Sequence, residues 1–449
     1  MYLEQPPGFE KKGKENWVMK LFKSIYGMKQ ASRVWNQTFN KAVESWGFKW
    51  LPCEWCIYHR HTPTGTTIFV FDDIISASSS PSKTEVFRNE LKSVWEISDL
   101  GLVKYALRIA ITRDSPSHSI FLSQTTLIDR VVEQFGQKDA HPANTPMVQG
   151  LCLDRPDKAS HQPNKSVPYQ ELVGSLMYIA NATRPDIAFT VGCLASVMDC
   201  YTTEHWKAAV RVLRYLKGTR NLTLHLGGTQ ALNLTGFSNS DYANCINTSR
   251  SIGGYCFSLG GSTVSWSSRK QRTVADSSCY AEYIALSEAS QEAIFLRMLL
   301  EGVKFPDKKP SHLYCDNDAA IKLAEDQVWH SKGKHIRVKY HYVRDQVLAK
   351  EIKVNRVRSK DNPANIFTKA LGHPNFLCHR THLGLVAPTV EENTTYHTSF
   401  PSFPIDAYHT IFVYDSHHDL DDDTSIFDSF DTLPSTVDTR VERTVEMTS

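Results

Sequence analysis

The sequence predicts a multi-domain chain of mixed helix and sheet, α+β or α/β in class, that ends in a disordered acidic tail. Three observations lead there. The chain has 449 residues, 41% of them hydrophobic, which is more than one core usually holds and enough for two or three. Between residues 166 and 372 the apolar pattern switches repeatedly between the helical and the strand period. Beyond 387 the composition turns to Thr, Ser and Asp, with thirteen acidic residues against two basic ones (Arg440 and Arg443).

Taken in order, residues 1–113 mix both periods and close in an apolar stretch around Tyr105 to Ile111. Residues 114–165 read as a connector, with an Asp114-Ser-Pro-Ser turn, a helix over 124–135 and then Pro-, Asn- and Asp-rich sequence. The segment 169–198 is apolar and helical, broken at Arg184-Pro-Asp186, because proline disfavours helix for the residue before it. Residues 204–217 carry Trp206, Ala209, Val210 and Leu213 at helical spacing and stop at Gly218. Strand patterns follow at 232–237, 253–259 and 263–268, the last two joined at Gly260-Gly261 as a hairpin. A long Ala-, Leu- and Glu-rich helix spans 278–301. After it come a strand at 312–315, helices at 318–324 and 336–349, a strand at 352–357 and a short helix at 363–369. Strands of this order and spacing make a mixed sheet packed by helices.

Charge and cysteine content narrow the function classes. The net charge of +2 divides into +13 over residues 1–387 and −11 beyond, so a basic body suits a polyanionic partner, although a solvated surface explains charge alone equally well. Ten dispersed cysteines in a long chain argue for reduced thiols; Cys53-x-x-Cys56 has no second pair or His at finger spacing, which weighs against zinc. No apolar run reaches the roughly 18 residues of a membrane span. No cationic start precedes an apolar segment, so no secretory signal is read. The expectation is an intracellular chain, cytoplasmic or nuclear, without a membrane partner.

Asp72-Asp73 stands inside Ile68-Phe-Val-Phe-Asp-Asp-Ile-Ile75. An acidic pair in a surface turn is ordinary, but apolar β-formers flank this one on both sides. Two carboxylates at a tight turn between buried strands are costly unless they hold a cation. Template-directed polymerases hold two Mg²⁺ ions on such a tip, one activating the attacking 3′-hydroxyl and one steadying the triphosphate.

Neighbouring words extend this. Gln5-Pro-Pro-Gly-Phe9, the run from Leu21 through Tyr26-Gly-Met-Lys-Gln30 to Trp35, Ser98-Asp-Leu-Gly101, Gly174-Ser-Leu-Met-Tyr178, Thr183-Arg-Pro-Asp-Ile187 and His205-Trp206 stand in one order. In that order and wording the chain, to about Leu385, resembles the reverse transcriptase and ribonuclease H part of copia-type retrotransposon Pol polyproteins. The resemblance implies a partial polymerase palm over 1–147, truncated at its N-terminus, and thumb-like or connection helices over 148–228. A ribonuclease H-like domain over 229–372 and an extension over 373–449, largely disordered after 387, complete it. It implies Mg²⁺ or Mn²⁺ as cofactor and RNA, DNA and RNA–DNA hybrid as partners. Asp72 and Asp73 match the paired catalytic aspartates. Gly27 and Gln30 match the segment that positions nucleotide and template, glycine permitting close backbone approach; Lys29 and Arg33 are phosphate contacts or solvated cations.

Departures from the family pattern carry as much weight. Its further palm aspartate lies upstream of Gln5-Pro-Pro-Gly-Phe9, before Met1, so no autonomous polymerase activity is expected. Val70 stands where a tyrosine is usual, and Arg108 where a glycine is usual near the primer-contacting turn. Ribonuclease H chemistry places four carboxylates around two metal ions about 4 Å apart. Glu282 in Tyr280-Ala-Glu-Tyr283 and Asp316 in Tyr314-Cys-Asp-Asn317 match two of them, while the other two positions are Asn239 and Asn365. Both two-metal sites are therefore expected to be incomplete, and cleavage weak or absent. Asp241 is two residues along the strand, on the same face and roughly 7 Å away, a minor ligand candidate at most. Asp361 is displaced similarly from Asn365. His335 and His341 are packed or surface histidines ahead of proton shuttles. Arg269, Lys270 and Arg272, with Lys332, Lys334, Arg337 and Lys339, are candidate hybrid-backbone contacts; Trp266 reads as core. The alternatives are a non-catalytic nucleic-acid-binding remnant, a mis-started piece of an intact Pol polyprotein, or a remnant with no stable product. If half a palm exposes sheet edges, 1–165 folds poorly and 229–372 is the more self-sufficient unit.

Overall fold

The computed structural model describes residues 2–5, 7–9, 11–14, 17–20, 29, 31–71, 74–151, 153, 155–156, 166–228, 232–243, 248–305, 310–326, 338–387 and 446–448. The chain divides into two compact units, one of residues 1–49, 85–97 and 414–449, the other of residues 50–84 and 98–413.

In the first unit β1 (Tyr2–Glu4) pairs antiparallel with β2 (Val18–Lys20), and a C-terminal strand, Glu446–Thr448, pairs with the other edge of β2. Helix α1 (Ala31–Ser45) and the part of α2 (Pro81–Val94) in this unit enclose an aromatic core. Phe39 and Trp95 stack at 5.3 Å, and Phe48 lies 5.0 Å from Phe87. The expected disordered tail falls mostly outside the described residues.

The second unit contains three sheets. Strands β3 (Lys49–Leu51), β4 (Glu54–Thr62), β5 (Gly65–Val70) and β6 (Ile75–Ser78) follow one another in a four-stranded sheet. The β5–β6 register pairs Val70 with Ile75, so β5 and β6 are an antiparallel pair. Tyr58 and Phe69 stack at 4.9 Å in this sheet.

A second sheet was not foreseen. It takes β7 (Tyr105–Ala106), β8 (Ile109–Asp114) and β9 (Ser119–Ser123) from one stretch, adds β10 (Thr223–Gly227), and is completed by β16 (Leu385–Val386). Its order is β16-β10-β9-β8-β7, antiparallel throughout. Ile109, Ile111, Leu122, Leu224 and Leu385 form its buried face.

Helix α3 (Thr125–Gln134) follows β9 directly. The predicted helical region holds α4 (Tyr169–Ala182), a 3-10 turn at Pro185–Ile187, α5 (Ala188–Ala195) and α6 (Thr203–Gly218), the break lying where proline predicts it. A reciprocal box caps α6: Thr202 Oγ1 accepts from His205 N and His205 Nδ1 from Thr202 N. The break buries an ion pair. Arg184, 1% exposed, donates through Nε and Nη2 to the two carboxylate oxygens of Asp186 at 2.9 and 2.8 Å, and also to the Thr219 carbonyl and hydroxyl. Tyr215 donates its hydroxyl to Asp186 at 2.5 Å and Arg380 donates to Tyr215. Burial pulls the Arg184 pKa down, but the Asp186 charge and hydrogen bond outweigh it and the net shift is upward.

The third sheet comprises β11 (Leu234–Asp241), β12 (Ile252–Leu259), β13 (Ser262–Lys270), β14 (Ser311–Cys315) and β15 (Ile352–Arg356) in the order β13-β12-β11-β14-β15. The first three are antiparallel; β14 runs parallel to β11, and β15 parallel to β14. Alternation along the strands decides what covers each face. Leu234, Phe257, Leu313 and Val354 turn to α7 (Ser278–Gly302), α8 (Asp318–Glu325) and α9 (Tyr342–Leu348). Phe237, Cys256 and Trp266 turn to the helical region, and Trp266 Nε1 donates to the Ala180 carbonyl at 3.1 Å, a core role. The expected short helix at 363–369 is a 3-10 turn, Pro363–Phe367, capped by Asn362, and a further helix, α10 (His373–His382), follows it.

Removing one partner of the buried pair strands the other charge. Asp186→Ala is expected to lower unfolding stability by about 3–5 kcal/mol in urea titrations, with Arg184→Met/Asp186→Met losing less. A loss below about 1 kcal/mol for Asp186→Ala would contradict the pairing.

Candidate metal centre

Because β11 and β14 are parallel neighbours, their C-terminal ends open on the same side of the sheet, where α/β sheets commonly hold ligands. Four elements reach this end. Asn239 is near the end of β11, Asp316 directly follows β14, Glu282 lies in the second turn of α7, and Asn365 sits in the 3-10 turn 363–367. The α7 start is fixed by Ser277, whose side chain accepts from Tyr280 N. The 3-10 turn reaches the sheet because β12 carries Gly254: a Cβ there would lie 2.5 Å from the Phe367 Cβ.

These side chains form two pairs. Glu282, Cys315 and Asp316 bring one ligand atom each within 4.8 Å of one another, the one such grouping of three among the described residues. The Cys315 thiol lies 4.0 Å from Glu282 Oε2, and Asp316 Oδ2 accepts from Ser359 Oγ at 2.5 Å. Burial, and then the Asp316 charge, push the Glu282 carboxyl up to about 8, against the Ser240 backbone N–H and Lys369, which favour its ionised form. Burial and the Glu282 charge push the Cys315 thiol up as well, so it is a neutral thiol.

The second pair is Asn239 with Asn365. Asn239, 2% exposed, donates Nδ2 to Asn365 Oδ1 at 3.0 Å. The Asn365 Nδ2 donates to the carbonyls of Ser359 and Asn362 at 2.6 and 2.8 Å. Both hydrogens of that amide are thus spent on backbone, and its oxygen on Asn239. A carboxylate at 365 would set its oxygens against two carbonyl oxygens. Asn362, fully buried, ties the turn down by donating to the Ser238 carbonyl at 2.9 Å. Asp241 is half-buried with a pKa raised by burial, opposed by Lys369.

Two divalent ions need several hard oxygen donors carrying net charge. Here two carboxyls face a thiol and two amides, which are joined by one hydrogen bond, with both hydrogens of the Asn365 amide spent on backbone carbonyls. This donor set does not fit a two-ion centre.

The remaining candidates are dispersed. Arg269 and Lys270 are exposed at the end of β13; their register runs Asp241–Ile252–Lys270 and Ser240–Gly253–Arg269, which places both cations at the same end of the sheet as the carboxyls. Arg272, exposed, follows two residues on. His341 Nδ1 lies 3.1 Å from the Tyr283 hydroxyl, and burial lowers its pKa. Lys29 and Arg33 are exposed in the first unit. Asp72, Asp73, Gly27, Gln30, Lys332, Lys334, His335 and Arg337 lie outside the described residues, as does the side chain of Lys339. Reading the sequence missed Ser240, Ser359, Asn362 and Lys369; of these only Asn362-Pro363 announces itself, as a cap-and-turn signal.

Residues 1–149 match the family model described as reverse transcriptase (RNA-dependent DNA polymerase). The chain is 35% identical over 386 residues to a retrovirus-related Pol polyprotein from transposon TNT 1-94 of Nicotiana tabacum, covering 84% of this chain and 29% of that one. It is 32% identical over 298 residues to a putative transposon Ty5-1 protein of Saccharomyces cerevisiae, covering 65% of this chain and 95% of that one. The chain thus spans under a third of the length of the Pol polyproteins it matches. Among solved structures, the N-terminal RNase H domain of a Mycobacterium tuberculosis protein matches with 12% identity and a TM-score of 0.23, covering 34% of this chain and 98% of that one.

The raised Glu282 pKa makes a linkage prediction. In the presence of chelator the folded protein keeps this proton to about pH 8, whereas the unfolded chain releases it near 4.5. The folded state binds the extra proton in that window, so stability falls as pH rises through it. Glu282→Gln is expected to be more stable than wild type at pH 8 by an amount on the order of a few kcal/mol, the gain fading toward pH 4.5. Urea midpoints across pH measure this; a difference flat with pH would contradict it.

Proposed function

Since the chain belongs to the family of copia-type retrotransposon Pol polyproteins, we propose that it engages RNA–DNA hybrids through a ribonuclease H-like unit with impaired cleavage. The observation that carries this reading is the Asn239–Asn365 hydrogen bond, beside Glu282 and Asp316 at the open end of the β13-β12-β11-β14-β15 sheet. The family pattern puts charge at all four positions. Swapping two carboxylates for amides removes two negative charges while keeping the side-chain shape. A metal-dependent nuclease polarises water and steadies the leaving oxygen with its ions, which Mg²⁺ or Mn²⁺ would supply.

What this chain's own residues do at the site is bind and orient. Arg269, Lys270 and Arg272 face solvent at or beyond the strand end that carries the carboxyls, two strands away for the first two, or roughly 10 Å. Phosphates held there would lay a hybrid across the sheet end, with an affinity set by counterion release. Residues 1–147 are read as the palm of a reverse transcriptase, with Asp72 and Asp73 as its metal-holding pair, Gly27 and Gln30 toward nucleotide and template, and Lys29 and Arg33 toward phosphate. Residues 148–228 are the thumb or connection, 229–372 the ribonuclease H-like domain, and Lys334 a further hybrid contact. The match of the family model to residues 1–149 supports the first of these assignments.

Restoring charge tests the reading. With Mg²⁺ or Mn²⁺, Asn239→Asp/Asn365→Asp is expected to cleave an RNA–DNA hybrid on the order of 100-fold or more faster than wild type. Thermal melts confirm that the variant folds. Wild-type turnover equal to the repaired form would overturn the impairment. In the same assay Arg269→Gln/Lys270→Gln should weaken hybrid binding and reduce its salt slope by about one unit per residue. An unchanged slope would remove these cations from the interface.

A further inference from the structure

A donor set that does not fit two hard ions still brings three side chains to one point. Cys315 is the last residue of β14, Asp316 follows it, and Glu282 lies opposite in the second turn of α7. The Cys315 sulfur and one oxygen of each carboxyl lie within 4.8 Å of one another. Strand alternation sets this up. Leu313 and Cys315 both turn to the α7 side of the sheet, and the chain leaves the strand directly after them, which frees Asp316 to turn the same way.

Glu282 calls for a cation. It is 7% exposed, and among the described residues its carboxylate forms no ion pair. Its hydrogen-bond partners there are the Ser240 backbone N–H and the Cys315 thiol, whose sulfur stands off at 4.0 Å. A buried carboxylate so thinly partnered is costly unless a positive ion answers it. Asp316 is prepared from the other side. Its Oδ2 accepts from Ser359 Oγ at 2.5 Å, which orients the carboxyl and leaves Oδ1 to a ligand.

The sulfur selects the kind of ion. Hard cations take oxygen donors, and Mg²⁺ demands a near-octahedral set of them. A thiolate favours borderline and soft ions, and three protein donors with one open position suit a zinc-class cation. With Zn–S near about 2.3 Å and Zn–O near about 2.1 Å, tetrahedral donor atoms stand roughly 3.6 Å apart. The Cys315–Glu282 separation of 4.0 Å is close to that, and no separation in the group exceeds 4.8 Å. We propose that Glu282, Cys315 and Asp316 hold a single thiophilic divalent cation of the zinc class, with a sulfur ligand that the four-carboxylate pattern does not include. Binding replaces the thiol proton, which leaves to the buffer. Asn239 and Asn365, bonded to each other and to backbone carbonyls, stay outside this shell. The ion ties the end of β14 to α7 and occupies the place of a hard-ion centre.

Titrating the full chain with Co²⁺, a spectroscopic stand-in for Zn²⁺, tests this without a cleavage assay, so its outcome is separable from that of the hybrid experiments. Wild type is expected to develop a sulfur-to-cobalt charge-transfer band that Zn²⁺ erases and excess Mg²⁺ does not. Cys315→Ala is expected to lose this band. Asp316→Asn, at a half-buried position, should bind Zn²⁺ about tenfold or more weakly in competition with a chromophoric chelator. If Cys315→Ala misfolds, Asp316→Asn alone decides. No band in wild type, an equal band in Cys315→Ala, or an unchanged Zn²⁺ affinity in Asp316→Asn would overturn the site.

Discussion

Arg184 and Asp186 carry full charges where almost no water reaches, and the second unit is organised around keeping them together. The pair sits at the break between α4 and α5. Arg184 also holds Thr219 at the end of α6, and Asp186 holds Tyr215 of α6, which in turn accepts from Arg380 of α10. One short motif therefore ties three helices and the C-terminal part of the unit to one point. A buried pair contributes little net stability when intact, yet neither member tolerates the loss of the other. The consequence is specificity of packing. Thr183, one residue before, reaches Gln124 and so sets the entry to α3 as well.

The open end of the third sheet handles the same problem differently. The resemblance leads to the expectation of four carboxylates there, which only counter-ions can reconcile. In this chain Glu282 and Asp316 face that end, and across from them Asn239 and Asn365 are joined by one hydrogen bond. Burial, and then the nearby Asp316 charge, push the Glu282 carboxyl up to about 8. Each amide hydrogen of Asn365 has a carbonyl to meet, so its surroundings suit an amide. Buried charge is paired at one place and neutralised at the other; both obey the same desolvation cost.

Local pattern made much of this legible. The hairpin at Gly260-Gly261 and α7 follow from turn chemistry and helical spacing, and the break at Arg184-Pro-Asp186 follows from the proline. The sheet of β7, β8, β9, β10 and β16 was hidden because two of its strands are two residues long and its members come from residues 105–123, 223–227 and 385–386. Period-2 alternation cannot be seen over two residues, and pairing between distant segments leaves no local trace. Arg184 and Asp186 look like surface charges in sequence, since their bidentate geometry exists only once the chain bends at Pro185. At the candidate centre, the positions of Asn239 and Asn365 came from resemblance to a family pattern. That they bond to each other, and that Ser359 and Asn362 hold the turn in place, came from the fold. Arg108 drew notice as a departure from glycine; its left-handed place in the turn between β7 and β8 needed the hairpin.

The central claim is that amides at 239 and 365 leave too little negative charge to hold two ions. Counting bound Mn²⁺ by electron paramagnetic resonance, in wild type and in Asn239→Asp/Asn365→Asp, tests it most directly. The account predicts at most one weakly held ion in wild type and two spin-coupled ions in the variant. Two coupled ions in the wild-type chain, at the variant's affinity, would contradict it.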